Sequence, residues 1–127
     1  MADLPEIRAT YRMHYFGADR CQLDTIDGTG YLKADFLPDS GEFKIMMMSV
    51  TTPRRGLGKA LLRRAESEAR AWQAQKITTA ILSAECLVSM TEVFGAENIT
   101  VNRQGQFGEP RGTTDAKLEF FIVEPFL

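Results

Sequence analysis

The chain has 127 residues, of which 44% are hydrophobic and 25% charged, and these values are typical of one soluble globular domain. Its formal net charge of −2 argues against a general nucleic-acid-binding protein, because such proteins are usually basic. The single histidine, His14, excludes a multi-histidine metal site, and no apolar run approaches the roughly 20 residues of a membrane-spanning helix.

The two cysteines, Cys21 and Cys86, lie far apart in the sequence and have neither the spacing of metal ligands nor that of a disulfide framework. This cysteine usage favours the reducing cytoplasm. Asp3 and Glu6 flank only short apolar runs, unlike a secretory signal. We therefore expect a cytoplasmic protein that needs no metal ion.

The first fifty residues have the pattern of antiparallel strands. From Ile7 to Tyr15 apolar and polar residues alternate, as in a half-buried strand. Three more strands are predicted, at Cys21–Ile26, Tyr31–Leu37 and Phe43–Val50. The last of these is almost continuously apolar, which is typical of a central strand covered on both faces.

After residue 50 the hydrophobic period becomes helical. Apolar residues recur every three or four positions from Leu57 to Trp72 and predict an amphipathic helix that extends to about Gln75. The remaining segments predict a strand at Ile77–Leu82, a shorter helix at Glu85–Phe94 and a strand at Asn98–Val101. An exposed loop at Gln104–Asp115 and a last strand at Lys117–Glu124 complete the chain's predicted elements.

This order of elements predicts an α/β fold. A strand–helix–strand unit within antiparallel strands gives a mixed, mostly antiparallel sheet with helices on its faces. We expect a single domain over residues 1–127. Residues 1–50 supply its antiparallel strands, 51–75 a loop and the long helix, and 76–127 the other elements.

The junction between the fourth strand and the long helix concentrates positive charge. The first N–H groups of a helix have no intrahelical partner, and the helix dipole adds partial positive charge there. Gly56 and Gly58 would let an anion approach these groups, while Arg54, Arg55 and Lys59 add full charges. The stretch predicts a site for a small anion such as pyrophosphate; a plain helix start with a solvated basic face is the alternative.

Two well-known phosphate-binding motifs do not fit this junction. A P-loop needs Ser or Thr after its Gly-Lys pair, but Ala60 follows Lys59, and Pro53 stands where the first glycine is required. The dinucleotide-binding fingerprint needs a third glycine at the position of Leu61.

The junction resembles the acetyl-coenzyme A site of the GNAT superfamily of N-acetyltransferases. In that family an apolar strand ends in Val, and the motif Gln/Arg-x-x-Gly-x-Gly/Ala opens a long helix. Here Val50 ends the strand and Gly56-Leu57-Gly58 matches the glycines, within a resemblance that extends from about Glu42 to Gly95. Several features depart from the family: Pro53 occupies the first motif position, the loop after Val50 is shorter than usual, and the paired helices that usually follow the first strand have no obvious counterpart.

The resemblance implies an acetyltransferase that moves an acetyl group from acetyl-CoA to an amine of a protein or small molecule by direct attack. Pantetheine would pair with the strand end at Met48 and Val50, and the Met48 N–H would polarise the thioester carbonyl. Arg55, Gly56, Gly58 and Lys59 would hold the pyrophosphate, and Arg54 or Arg63 would reach the other phosphate. Leu57 and Ala60 complete the expected coenzyme-binding residues.

Direct attack also requires proton transfers. A lysine-like amine with a pKa near 10.4 needs about 4.6 kcal/mol to lose its proton at pH 7. Glu42 is the candidate base, because strand alternation puts it on the same face as Met48. The Tyr that usually protonates the leaving thiolate is replaced by Thr91, so Thr91, Ser89 and Cys86 are candidates to relay that proton.

Two other functions stay open on the sequence. One is a catalytically inactive GNAT-like module that binds acyl-CoA or a protein. The other is an interaction protein that uses the basic cluster to hold an acidic surface or an RNA end. An exposed strand edge is compatible with a homodimer, whereas no membrane partner is expected.

Overall fold

The first four strands form the predicted antiparallel meander. A computed structural model describes residues 4–13, 19–51, 56–80, 82–83, 86–104 and 113–122 of the chain. Four strands pair there in chain order: β1 (Ile7–Arg12), β2 (Asp19–Thr25), β3 (Gly30–Leu37) and β4 (Glu42–Val50). The predicted extension of β1 to Tyr15 is wrong at Met13, which is outside the strand, and His14 lies outside the described residues.

The long helix α1 (Leu57–Ala71) connects β4 to the parallel strand β5 (Lys76–Thr79). Its apolar positions lie on one buried face, as the sequence predicts: Leu57, Leu61, Ala65 and Ala69 are all essentially inaccessible. The helix ends at Ala71 rather than near Gln75, because Gln73 adopts a left-handed φ of 60°.

The second half of the chain departs more from prediction. The strand expected at Ile77–Leu82 is two strands, β5 and β6 (Leu82–Ser83), that pair with different parts of the last strand. Helix α2 begins at Leu87 rather than Glu85, spans Leu87–Phe94, and is followed by a 3-10 turn at Ala96–Asn98.

The predicted loop at Gln104–Asp115 is partly wrong. Strand β7 (Ile99–Gln104) is longer than expected, and β8 (Thr113–Phe121) begins earlier than Lys117 and ends before Glu124. Residues 113–115 belong to β8 because they pair with residues 102–104 in an antiparallel hairpin, although the sequence there is polar. Residues 105–112 lie outside the described part of the chain.

All eight strands form one mixed, mostly antiparallel sheet, as predicted. The order is β1-β2-β3-β4-β5-β8, with β6 and β7 both paired to β8. Among the described strands only β4 and β5 run parallel. Neither described helix is both long and apolar enough to cross a lipid bilayer.

Both helices cover the same face of the sheet. Helix α1 packs on β3, β4 and β5, while α2 contacts α1 and β8. One apolar cluster joins the two helices to the sheet; its large, fully buried members include Leu23, Leu32, Phe43, Ile45, Leu57, Leu61, Leu62, Ile77, Met90 and Leu118. Each such side chain contributes about 1.5–3 kcal/mol through burial, so this cluster holds α1 against β4.

The opposite face of the sheet is covered by no helix in the described part of the chain. Residues 13–18 connect β1 to β2, and this connection is too short for the paired helices of the GNAT family. Polar and charged side chains therefore occupy the uncovered side of β1–β4, which we call the open face.

Candidate functional site

The site begins where β4 and β5 separate. Their parallel ladder ends at the pair Ile45–Thr79, followed by one hydrogen bond of 2.9 Å from the Ala80 N–H to the Ile45 carbonyl. Beyond this point β4 continues to Val50, whereas the next strand along the chain, β6, pairs with β8. Residues 46–50 thus border a gap in the sheet on the side away from β3.

A β-bulge at Met46 changes which side chains face the core. Lys33 of β3 lies opposite Met47 and Ala34 lies opposite Ile45, so Met46 is an extra residue in β4. Before the bulge the buried side chains are Phe43 and Ile45, and after it Met48 and Val50 pack against the core cluster. The bulge therefore reverses the alternation of β4 at its middle.

The prediction that Glu42 shares a face with Met48 is wrong because of this bulge. Glu42 lies on the open face, where its carboxylate accepts a 2.9 Å hydrogen bond from the Thr78 hydroxyl. At about 3.3 Å per strand residue, Glu42 is also some 15–20 Å from Met48 along β4. This position does not allow Glu42 to take a proton directly from an amine at Met48.

The backbone of Met48 and Val50 faces the gap. The Thr51 N–H donates to the Thr29 carbonyl of the β3 side over 2.8 Å. The Met48 carbonyl instead accepts from the Cys86 thiol on the other side, with a sulfur–oxygen distance of 3.9 Å. Successive residues of an antiparallel strand point to alternate edges, so the N–H groups of Met48 and Val50 are directed into the gap.

The N-terminus of α1 lies at the end of the same strand. Gly56 precedes the helix with a left-handed φ of 73°, and its carbonyl accepts the first helical hydrogen bond from Ala60 over 3.1 Å. No side chain of the described residues caps the helix, and its first turn has no acidic residue. The first helical N–H groups, with the positive end of the dipole, are therefore suited to an anion.

Gly56 and Gly58 are glycines for different structural reasons. At Gly56 no atom of the described residues lies within 4 Å of the place where a Cβ would be, so the observed reason for glycine is its positive φ. At Gly58 a Cβ would come within 2.7 Å of the Ser89 hydroxyl oxygen. Gly58 thus allows α1 to pack closely on α2, and its predicted role toward a phosphate concerns only its N–H.

Lys59 is paired with an acidic residue of α2. Its Nζ lies 2.9 Å from the Glu92 carboxylate, and both side chains are nearly half exposed. Leu57 is buried and Ala60 is partly buried. Pro53, Arg54 and Arg55 lie outside the described residues, whereas Arg63 is exposed on α1.

Of the predicted proton carriers, Cys86 is the one whose contact with the gap is observed. The Thr91 hydroxyl donates to the Leu87 carbonyl over 2.8 Å within its own helix. Ser89 lies against Gly58. The thiol of Cys86 is buried against the Met48 carbonyl, beside the backbone edge described above.

Sequence reasoning missed the Glu92 partner of Lys59. The sequence offered one signal, since Ser89 and Glu92 are separated by three positions and so share a helix face. What the sequence could not show is that this face of α2 packs on the start of α1.

The described geometry has counterparts among solved structures. A Bacillus subtilis acetyltransferase in complex with CoA superposes with a TM-score of 0.60 at 10% identity, covering 93% of this chain and all of the other. The chain has the fold of the GNAT acetyltransferases. A nourseothricin acetyltransferase is similar with a TM-score of 0.57 at 14% identity, over 84% of this chain and 66% of that one.

A further GNAT-fold neighbour is the ribosomal-protein-S18-alanine N-acetyltransferase of Escherichia coli, with a TM-score of 0.55 at 15% identity. That match covers 90% of this chain and 76% of the enzyme. No family model and no curated protein matches the sequence. At these identities the likeness establishes the GNAT fold, and this chain is the shorter one in two of these three comparisons.

Proposed function

We propose that this chain belongs to the GNAT superfamily, binds acetyl-CoA, and transfers the acetyl group to an amine of a protein or a small molecule. The observation that carries the proposal is the placement of two kinds of backbone donor at one gap. The N–H groups of Met48 and Val50 border the gap, and the uncapped start of α1 follows β4 through residues 51–56. The neighbour solved with CoA supports the same ligand for this chain.

The residues present fit two parts of coenzyme A, its pyrophosphate and its pantetheine arm. The N–H groups of Leu57, Gly58 and Lys59 would hold the pyrophosphate. Arg54 and Arg55 precede these three residues in the sequence, and Arg63 follows them on α1. Charge-assisted hydrogen bonds of this kind contribute about 1.5–3 kcal/mol each. Val50 would pair with the pantetheine amide as a neighbouring strand does. Bound acetyl-CoA would supply an activated thioester.

The Met48 N–H is the proposed donor to the thioester carbonyl, since it is directed into the gap. Backbone donors of this type stabilise the developing oxyanion and are already oriented before reaction. The acceptor amine must enter from the open face, because α1 and α2 cover the other. Because Glu42 is too far along β4 for direct transfer, we propose that water carries the amine proton away and that the Cys86 thiol or water returns one to the leaving thiolate.

A second candidate function is a GNAT-fold module that binds acyl-CoA without turnover. The observation that favours it is the Thr91 hydroxyl, which donates to the Leu87 carbonyl where the family usually has an acidic phenol. The sequence has tyrosine only at positions 11, 15 and 31, so no other residue of α2 supplies that phenol. The homodimer and the cytoplasmic location stay predictions.

One experiment tests both candidates. CoA and acetyl-CoA are titrated into the protein by calorimetry, and release of free thiol is then followed with lysine peptides, peptides with free N-termini and polyamines. Binding with amine-dependent thiol release supports the acetyltransferase. Binding without release, for every acceptor tried, supports the binding module. Absence of binding to either ligand contradicts both.

A further inference from the structure

The open face of β1–β4 has a regular arrangement of charged side chains. The strand registers place three rows across the four strands, at Arg12–Arg20–Asp35–Lys44, Thr10–Gln22–Lys33–Met47, and Arg8–Asp24–Tyr31–Ser49. Five of these twelve positions are cationic and two are acidic, in a chain whose net charge is −2. The open face is therefore locally basic.

One cross-strand pair of like charges on the open face destabilises the sheet. Arg12 and Arg20 lie directly opposite each other on β1 and β2. Like charges in that position destabilise a sheet, by up to about 1 kcal/mol relative to neutral pairs. Arg20 is compensated by Asp35, with an Nε–Oδ1 distance of 2.8 Å, whereas Arg12 is exposed and has no ion pair among the described residues. Arg12 therefore presents an exposed guanidinium on the open face of the edge strand β1.

A depression lies in the middle of the open face. It has a volume of about 310 Å³ and is lined by Thr10, Arg12, Arg20, Gln22, Asp24 and Lys33. The Asp24 carboxylate accepts two hydrogen bonds from the Gln22 amide, at 3.0 and 3.1 Å. The donors of Arg12 and Lys33 face this depression without an acidic partner in the described part of the chain.

The depression is close to the gap beside β4. Lys33, at its edge, lies opposite Met47, the residue before Met48. The rows extend across four strands, about 14 Å at the usual strand spacing, which corresponds to four or five residues of extended peptide. A chain lying along a row would reach the gap with its end.

We propose that the open face docks an acidic segment of a protein acceptor and so delivers its amine to the gap. This inference rests on the proposed acetyltransferase function and names its acceptor class. Carboxylates of the segment bind Arg12 and Lys33, and a neighbouring lysine or free N-terminus reaches Met48. The Arg12 guanidinium offers bidentate geometry for a carboxylate, whereas Arg20 already donates to both carboxylate oxygens of Asp35.

An acidic peptide fits this surface better than a nucleic acid. None of the lining residues is aromatic, and Tyr31, the aromatic residue of the three rows, has the Lys33 Nζ over its ring at 5.7 Å. Single-stranded nucleic acids usually stack on open aromatic faces. Asp24 and Asp35 interrupt the cationic rows and would face phosphates at close range. A peptide can place neutral residues opposite Asp24 and Asp35, whereas a nucleic acid carries a negative charge at every phosphate.

The test measures peptide binding without the coenzyme. The probe is a fluorescein-labelled peptide of alternating Glu and Ala, long enough to cross four strands, with one lysine at its end. Analogues carry Gln or Lys in place of Glu, and a single-stranded DNA of equal charge is the fourth ligand. The variants are the double substitution Arg12→Glu with Lys33→Glu, and its milder form Arg12→Ala with Lys33→Ala. Lys117→Glu, an exposed change on β8 beyond β4 and β5, is the control.

We expect the unaltered protein to prefer the Glu peptide and the double variants to bind it at least about tenfold more weakly. Lys117→Glu should keep its affinity within about twofold, and added salt should weaken the interaction. An equal loss in Lys117→Glu, equal binding of the three peptides, or DNA that binds as well as the Glu peptide would each overturn the proposal. The alanine pair answers the question if the glutamate pair does not fold.

Titration with CoA separates this proposal from the function on which it rests. Variants that keep CoA affinity but lose the Glu peptide show that the open face acts on the acceptor. Peptide binding by a protein that fails to bind CoA contradicts the acetyltransferase and the delivery of the amine together. CoA binding without any preference for acidic peptides contradicts the docking surface alone.

Discussion

Gly58 and Ser89 are in such close contact that a Cβ on the glycine would lie 2.7 Å from the serine hydroxyl oxygen and 3.3 Å from its Cβ. This contact sets how closely the start of α1 packs on helix α2. Gly58→Ala should lower the free energy of unfolding by about 1–3 kcal/mol, since the helices must separate to accept a methyl group.

A double-mutant cycle shows whether contact with Ser89 causes the destabilisation by Gly58→Ala. Ser89→Gly removes both atoms that the new methyl group meets, so Gly58→Ala should be less destabilising in that background. Urea unfolding of the four proteins measures the coupling. A Gly58→Ala penalty that is the same in both backgrounds would show that the helix contact is not what requires glycine.

The start of α1 should gain affinity for anions when Glu92 is neutralised. Glu92→Gln removes a carboxylate 2.9 Å from the Lys59 ammonium, leaving the lysine charge free for a phosphate. Because both side chains are partly exposed, we expect CoA to bind only about two- to fivefold more tightly. Calorimetry at low and high salt measures this, and Lys59→Gln should act in the opposite direction. Unchanged affinity in both variants would remove Lys59 from the site.

Substitutions at Thr91 test whether the lack of a general acid for the leaving thiolate limits the reaction. Thr91→Tyr would place a phenol where the GNAT family usually has one, and general acids of this kind contribute about 10²-fold or more to rate. We expect kcat for thiol release to rise at least tenfold in Thr91→Tyr and not in Thr91→Phe, with CoA affinity similar in both. If Tyr and Phe behave alike, protonation of the thiolate does not limit this protein.

The Tyr11–Glu68 hydrogen bond predicts a dependence of stability on alkaline pH. The phenol donates to the Glu68 carboxylate over 2.5 Å, and this bond, with burial, raises the pKa of Tyr11 to about 12 from its usual 10. A group whose pKa is higher in the folded state stabilises the protein below its unfolded pKa and loses that contribution as pH rises through the folded one. The stabilisation is thus complete below about pH 10 and lost towards pH 12.

Comparison with Tyr11→Phe isolates this effect. At pH 8 the variant should be less stable by about 1–2 kcal/mol, in the range of hydrogen bonds to charged groups at partly exposed sites. The difference in unfolding free energy should shrink between pH 10 and 12, because only the unaltered protein has the phenol to lose. Burial also raises the pKa of the Cys21 thiol to about 12, but that thiol is present in both proteins. A pH-independent difference would contradict the assignment.

The sequence predicted the meander and the strand–helix–strand unit because their hydrophobic periods are regular. The burial of Leu57, Leu61 and Ala65 follows directly from a period near 3.6. The polar start of β8 was missed, because Thr113 to Asp115 gain their strand structure from pairing with β7 and have no apolar alternation of their own.

The site was predictable at its backbone and less so at its side chains. The glycines at 56 and 58 located the start of α1. The bulge at Met46 could not be detected in the sequence, because three consecutive methionines have no polar–apolar alternation. Simple alternation therefore put Glu42 on the wrong face. The basic open face was visible only in part, as the alternating Arg8 and Arg12 of β1; its rows depend on pairing with β2 and β3.

The most direct test of the account compares the glycines at 56 and 28. Both have a left-handed φ, 73° and 77°, and at both no atom lies within 4 Å of the position that a Cβ would take, so leucine should strain both backbones by a similar 1–2 kcal/mol or so. Only Gly56 lies at the start of α1. Calorimetry should show CoA affinity unchanged in Gly28→Leu and lowered at least about tenfold in Gly56→Leu; equal CoA affinities in the two variants would contradict a coenzyme site at this helix.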